Sequence, residues 1–536
     1  MEYDCLRFSE IPQTTELFAA FNEDFDRVKQ FYGHPPDEGG IRAAARAVHL
    51  DVTIRGAVVE VLRAQNRKFS PDARVEKNID RLQNGAVAIV SGQQVSLFSG
   101  PAYSIYKALD AIRWAEKLTQ GGVEAVPIFW MATEDHDLAE ANQVFFGERY
   151  GIPRLEVSLP EGVEGQSVGR IPLGESAEAV VEHSAELLQG PGKRDVVDAL
   201  NGSYGANETF GSAFGKLLAR ILNGRGLILL DPLDKRLHEV ARPIYRKAAE
   251  GAALITEELS ARGKQLERGG WHAQVKVTPQ ATLLFLDVEG RREAVRRKND
   301  RFIAGSLRLT APELLQKIDE NPEAVTAGVL LRPVLQDFLL PTAAYIGGPA
   351  EVAYMAQAEV VYRRLLGGMP AILPRTSFTL IEPPVARTLE KYGLTVRDVL
   401  GGRQQVRRKM EARYLPRGLA ARFAGDEKAL RKMLAGYGKP LAALDKTLAG
   451  ARDTAERKIF HQFEKLRGKA GRAQNARTGV LDRHEIELIS ALFPRHGLQE
   501  RTLCLAPFLA RQGMDLLDRL EAAAHKPCNG HRFVTL

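Results

Sequence analysis

Glu134-Asp135-His136-Asp137 places three carboxylates around one imidazole. Adjacent carboxylates hold a histidine protonated or orient it as a general base, and the same set suits a divalent cation. The plainer role for Asp135 and Asp137 is a helix N-cap with an acidic first turn. A second cluster, Ser91–Lys107, carries Gly92, Gln93, Gln94, Ser99, Gly100, Tyr103 and Lys107. Its glycine-bounded loop runs into a helix, whose free N–H groups and dipole favour phosphate or carboxylate. In a third, Arg332, Gln336 and Asp337 stand among Leu and Pro. An arginine there clamps an anion bidentately or pairs structurally with Asp337. Gly347-Gly348-Pro349-Ala350-Glu351, with Tyr354 behind, offers another glycine turn into a helix, and Pro349 suits its first turn. Asn142 and Arg375 complete the candidates. The chain has no GxxxxGK[ST] phosphate loop, and the first glycine cluster is not a GxGxxG dinucleotide fingerprint.

These clusters need elements to hold them. Ala86–Val90 and Val126–Trp130 are short apolar runs ahead of the first two, and they read as fully buried strands. Between them, Ile105, Leu109, Ile112, Ala115 and Leu118 have helical spacing that ends at Gly121-Gly122. Strand, loop, helix and strand form a βαβ unit, whose ligand crevice lies outside the carboxyl ends of the strands. Gly226–Leu230, Thr342–Ile346 and Ala371–Leu373 read as further strands, and Glu351–Leu366 as a helix.

The fold class expected is therefore α/β on a parallel sheet, with added subdomains. Residues 1–85 read as a helical lead-in (Thr14–Tyr32, Ile41–Arg67, Asp72–Leu82) packed on the core. Residues 86–270 read as the first part of the core, with Leu155–Leu159 and Val168–Ile171 as short strands and Leu237–Leu259 as one helix. Residues 271–330 read as a small β-rich insertion with a hairpin around Gly290-Arg291, and 331–400 as the second part of the core. In 401–500, Leu430, Met433, Tyr437, Leu441, Leu444, Leu448, Ala455, Ile459, Phe463 and Leu466 trace a coiled-coil seam. Gly468–Gly471 reads as its turn and Val480–Phe493 as the return helix. Residues 501–536 are expected to return to the core as a helix and a strand.

A chain of 536 residues, 44% apolar and 26% charged, has room for two or more domains. No uncharged apolar run reaches 18 residues, so no membrane span is expected. The amino terminus has no basic segment leading into an apolar one, so secretion is not expected. Cys5, Cys504 and Cys528 suggest no disulfide framework, and a cytoplasmic setting follows. Gly401–Asn475 holds 19 Lys/Arg against 7 Asp/Glu, a surplus larger than the whole chain's +7. With few aromatics and no recognition motif, that segment is expected to be a solvated face that dimerises through its seam, in preference to binding nucleic acid. His525-x-x-Cys528-x-x-His531, with His496 and Cys504, has zinc-ligand types without a common finger spacing, so packing is favoured over zinc.

Phe98–Lys107 is similar in phase to the segment where class I aminoacyl-tRNA synthetases carry His-x-Gly-His, with the histidines replaced. More specifically, Ser91–Lys107, Pro127–Leu138, Arg332–Thr342 and Gly347–Tyr354, taken in order with the closing His531–Leu536, resemble the bacillithiol biosynthesis cysteine ligase family. The resemblance covers essentially the whole chain. It implies a Rossmann-like core with connecting-peptide insertions and a dimerising coiled coil. It implies amide formation between L-cysteine and glucosaminyl-malate. A cysteine carboxylate is a poor electrophile, so ATP, accompanied by Mg²⁺, is the expected activator. The four residues at 134–137 are then the expected catalytic group, and the other candidates the expected binding group. A different-class alternative is a synthetase-derived nucleotide- or RNA-binding protein with a basic coiled-coil arm.

Overall fold

The computed structural model describes residues 3–445 and 448–536. Five parallel strands form the central sheet in the order Ala371–Pro374, Thr342–Gly347, Val87–Gln94, Ala125–Ala132, Ile228–Leu230. Each overlaps one of the apolar runs read as a strand, although Ile228–Leu230 is shorter than the run Gly226–Leu230. They are continuous runs because both faces are covered. Ile89, Phe129, Leu229 and Ile346 enter one core, whereas Val90, Ile128, Trp130 and Tyr345 enter the other. Helix Tyr103–Gln120 buries Ile105, Leu109, Ile112, Ala115 and Leu118 on the first side, as their spacing predicts. Helix Pro349–Leu365 packs on the second.

From Val87–Gln94 the chain steps outward through Ala125–Ala132 to Ile228–Leu230, then crosses back to add Thr342–Gly347 and Ala371–Pro374 on the other side. The winding reverses between Val87–Gln94 and Thr342–Gly347, which opens a crevice at their carboxyl ends. A second, antiparallel five-stranded sheet (Ala281–Val288, Arg291–Lys298, Arg301–Ala304, Leu307–Leu309, Val325–Ala327) contains the expected hairpin.

Several local readings are corrected. Tyr3–Arg7 is a strand, paired antiparallel with Gly530–Thr535, which in turn pairs parallel with Ser377–Ile381. Val168–Arg170 is a 3-10 turn, and the helix read as Leu237–Leu259 is two helices, Lys235–Glu250 and Ala252–Arg268, meeting at Gly251. Helix Lys193–Asn201 was not anticipated. In the helical arm, Gly468 and Gly471 lie inside the long helix Leu448–Thr478, and the chain turns at Gly479, with φ 62°, before Val480–Leu492. Gly471 serves close packing: a Cβ there would stand 1.9 Å from the carbonyl oxygen of Glu411 on helix Arg403–Arg413.

The cysteine reading is also corrected. Cys5 and Cys528, 523 residues apart in sequence, form a disulfide with Cα atoms 6.0 Å apart, and Cys504 is free and buried. Strand pairing of the two chain ends brings them together. Cys528 is thereby taken out of the set considered for zinc. His531 is buried between the hydroxyls of Ser377 and Thr379, at 2.6 and 2.8 Å. No helix among the described residues is long and apolar enough to cross a membrane.

A cross-link of this span is of the type that adds about 2–4 kcal/mol. Cys5→Ser should lower the melting temperature of oxidised protein by a few degrees and abolish its response to dithiothreitol. A melting temperature equally insensitive to reductant in both proteins contradicts this.

Candidate active site

A cavity of about 530 Å³ fills the crevice at the reversal point. Its walls hold Gly92, Gln93, Gln94, Tyr103 and Lys107 from the first cluster and Glu134, Asp135 and His136 from the second. Arg332, Gly348, Glu351, Tyr354 and Arg375 supply the facing wall. Stretches far apart in sequence thus meet at one place, because four core strands end there.

The two walls are joined by Lys107 and Glu351. Lys107 is 1% exposed. Its ammonium donates to the Gly92 carbonyl at 2.8 Å and to Gln93 Oε1 at 2.9 Å, and pairs with Glu351. Burial pulls the Lys107 pKa down against the opposing pull of Glu351. Burial alone would raise Glu351, but Lys107 and the Gly348 N–H, at 2.7 Å, hold it below the ordinary carboxylate range. Glu351 also accepts from Tyr345. Arg332 reaches Tyr354 at 3.0 Å and Tyr345 at 3.4 Å. Burial works against its charge, yet the two phenols and Glu351 raise its pKa. Gly348, Pro349 and Ala350, at the start of helix Pro349–Leu365, face the cavity. The positive end of the helix dipole therefore points into it.

On the other wall Glu134 is buried, and desolvation pushes its carboxyl up to about 8. Its Oε1 lies 3.4 Å from His238 Nε2. His136 accepts at Nδ1 from Arg292, at 3.0 Å. That bond places the ring hydrogen on Nε2, so the 3.6 Å approach of Asp135 to Nδ1 is not an ion pair. His136 thus presents a donor, in contrast to the base expected from its acidic neighbours. Arg292 is itself fixed by Thr326 Oγ1 at 2.9 Å and the Ala327 carbonyl at 2.7 Å, over the Phe285 ring. The antiparallel sheet therefore roofs the cleft.

A family model described as the bacillithiol biosynthesis BshC N-terminal Rossmann-like domain matches residues 1–376, and one for the BshC C-terminal coiled-coil domain matches residues 378–536. The chain belongs to the BshC family of bacillithiol biosynthesis. It is 42% identical to a relative from Koribacter versatilis over 99% of both chains. It is 36% identical to one from Solibacter usitatus over 100% of both. A relative from Salinibacter ruber is 32% identical over 97% of this chain and 96% of its own. Each is named, provisionally, a cysteine ligase BshC.

Within this BshC-family cleft, seven expected residues have other duties. Asp137 caps helix Leu138–Ala141, accepting from the Glu140 N–H, and its carbonyl accepts from Gln94. Asn142 holds Glu156 Oε1 at 3.1 Å. Ser99 and Gly100 belong to a tight turn with positive φ at Phe98, Ser99 and Gly100, anchored where the Phe98 N–H donates to Tyr204 Oη at 2.7 Å. The helix terminus after that turn is closed, because the Ala102 N–H donates to the Leu503 carbonyl at 2.8 Å. Gln336 and Asp337 stand behind Arg332: Gln336 accepts from it and donates to Asp337, whose carboxyl burial raises to about 6. Gly347 accepts from the Arg375 N–H at 2.9 Å and packs against Glu351. Among the described residues, no three ligand-type side chains gather as a metal group.

The sequence reading missed Arg292, Arg501, Glu140 and Tyr345 in the cavity wall. Arg501 makes no side-chain hydrogen bond or ion pair among the described residues. Arg375, by contrast, is tied to Glu500 at 2.7 Å. Tyr345 sits in an apolar strand, where an inward hydroxyl leaves no pattern, but Glu500-Arg501 was a charged pair with no assigned partner.

Glu134 holds its proton to about pH 8 in the native state, whereas an unfolded carboxyl releases it near 4.5. The stability this contributes is fully present below the lower value and is lost as pH rises to the upper one. Glu134→Gln, which never ionises, should gain on the unmodified protein in melting temperature across that window. A constant difference between about pH 4.5 and about pH 8 contradicts the assignment.

Proposed function

We propose that the cleft joins the carboxyl of L-cysteine to the amine of glucosaminyl-malate as an amide, after ATP activates the carboxyl. The observation that carries this reading is Glu134, a buried carboxyl with a pKa of about 8 facing a cavity whose walls also hold Arg292, Arg332, Arg375 and Arg501. A base poised near the working pH suits removal of a proton from an attacking amine. ATP supplies the leaving group that the carboxylate lacks. Arg501, with its free guanidinium, Arg375 and the start of helix Pro349–Leu365 suit the phosphates, with Mg²⁺ travelling as their counter-ion. Arg332, backed by Gln336 and Asp337, suits a carboxylate of either substrate. His136 donates to the carbonyl oxygen as negative charge develops there, and Arg292 keeps it in that tautomer.

The helical arm serves a homodimer in this reading. Leu419, Met433, Tyr437, Leu444, Ile459 and Leu466 are large apolar side chains left exposed on it. The demand for ATP and free cysteine places the reaction in the cytoplasm.

Mass spectrometry of purified protein with glucosaminyl-malate, cysteine and ATP should show the cysteine-extended thiol, with AMP or ADP formed in step. Glu134→Gln should reduce its formation by about 10²–10⁴-fold, the usual weight of a general base. Activity of the unmodified protein should fall as pH drops below about 8, where Glu134 takes up its proton. Full activity in Glu134→Gln contradicts the reading.

A further inference from the structure

Behind the cleft wall lies a buried group that the reaction above does not use. His238, on helix Lys235–Glu250, is 2% exposed and does not line the cavity. Its Nδ1 is 3.1 Å from the Val325 carbonyl, with Tyr245 Oη at 3.4 Å on the same side. A carbonyl only accepts, so Nδ1 carries the hydrogen and Nε2 presents a lone pair. That lone pair faces Glu134 Oε1 at 3.4 Å. Both atoms are buried, and neither has another hydrogen-bond partner among the described residues. Two acceptors left facing each other in a dry site are costly, and a single proton between them satisfies both. Oε1 is turned inward, which leaves Oε2 of the same carboxylate to the cleft.

We infer that His238 is a positioning residue for Glu134: it faces Oε1, which leaves Oε2 toward the attacking amine, and it accepts a hydrogen bond at Nε2 from the carboxyl once Glu134 has gained the amine's proton. The inference rests on the reading of Glu134 as the base. The substrate ammonium or the forming amide nitrogen loses one proton. The Glu134–His238 pair gains it, and its net charge goes from −1 to 0. No other group is consumed.

The surroundings suit that hydrogen bond. Burial holds the imidazole toward its neutral form, while the carbonyls of Val325 and Pro232 beside the ring favour the charged one. Arg170 opposes a charge on the ring and Glu323 favours it. Arg292, Arg332 and Arg170 favour the Glu134 carboxylate, and Asp231 opposes it. Neither residue is therefore committed to one state by a single dominant partner.

His238→Asn keeps a donor for Val325 and removes the partner of Glu134. It should lower kcat tenfold or more with KM within twofold, and move the acid limb of the kcat profile to lower pH. His238→Gln, whose amide reaches Oε1, should recover part of kcat. The double variant Glu134→Gln/His238→Asn should be no worse than Glu134→Gln alone. Histidine-¹⁵N spectra give a readout that does not depend on these variants folding. In unmodified protein one Nε2 signal should titrate with the acid limb, and that response should vanish in Glu134→Gln. Unchanged kcat and acid limb in folded His238→Asn, or no histidine signal that depends on Glu134, overturns the positioning role while leaving Glu134 as the base. Full ligation by Glu134→Gln overturns both.

Discussion

The buried pair of Lys107 and Glu351 is the contact on which the cleft depends. Lys107 rises from the helix after the first core strand, and Glu351 begins the helix after the fourth in sequence. They belong to opposite sides of the point where the sheet reverses its winding. Removing one partner of a buried pair strands the other charge, at a cost of about 3–5 kcal/mol. The Lys107 ammonium is shared among Glu351, the Gly92 carbonyl and Gln93. The two halves of the crevice therefore cannot separate without desolvated charges losing their partners. Glycine at 92 answers to the neighbouring strand: a Cβ there would stand 2.6 Å from the Trp130 carbonyl oxygen.

Around that node charge is graded. Lys107 neutralises Glu351, so neither is free for substrate. Arg332 and Arg375 are held by phenols and by Glu500 but still face the cavity, and Arg501 makes no side-chain hydrogen bond or ion pair among the described residues. Glu134 has no hydrogen-bonded cation among the described residues, and desolvation outweighs the pull of Arg292, Arg332 and Arg170 on it. A site built this way attracts anions at one end and keeps a protonatable carboxyl at the other. Amide formation from an activated acid needs both.

The parallel strands were legible because burial on both faces leaves unbroken apolar runs, and the glycine clusters marked their carboxyl ends. What escaped depends on partners distant in sequence. Tyr3–Arg7 is a strand only because Gly530–Thr535 lies beside it, and the same pairing makes the Cys5–Cys528 bond possible. Arg292 reaches His136 across 156 positions of sequence, through a sheet whose placement no local pattern encodes. Glycine misled twice. At Gly100 it permits a closed turn, and at Gly471 it permits a close helix crossing, although both resemble features with other purposes. The acidic cluster separated by position: Asp137 took the capping role, and Glu134, buried at the strand end, took a place in the cavity wall with a raised pKa.

The most direct test is the structure of the protein with glucosaminyl-malate bound. The amine nitrogen should lie within hydrogen-bond distance of Glu134 Oε2, with the malate carboxylates toward the arginines of the facing wall. Binding outside this crevice, or an amine turned away from Glu134, would contradict the account.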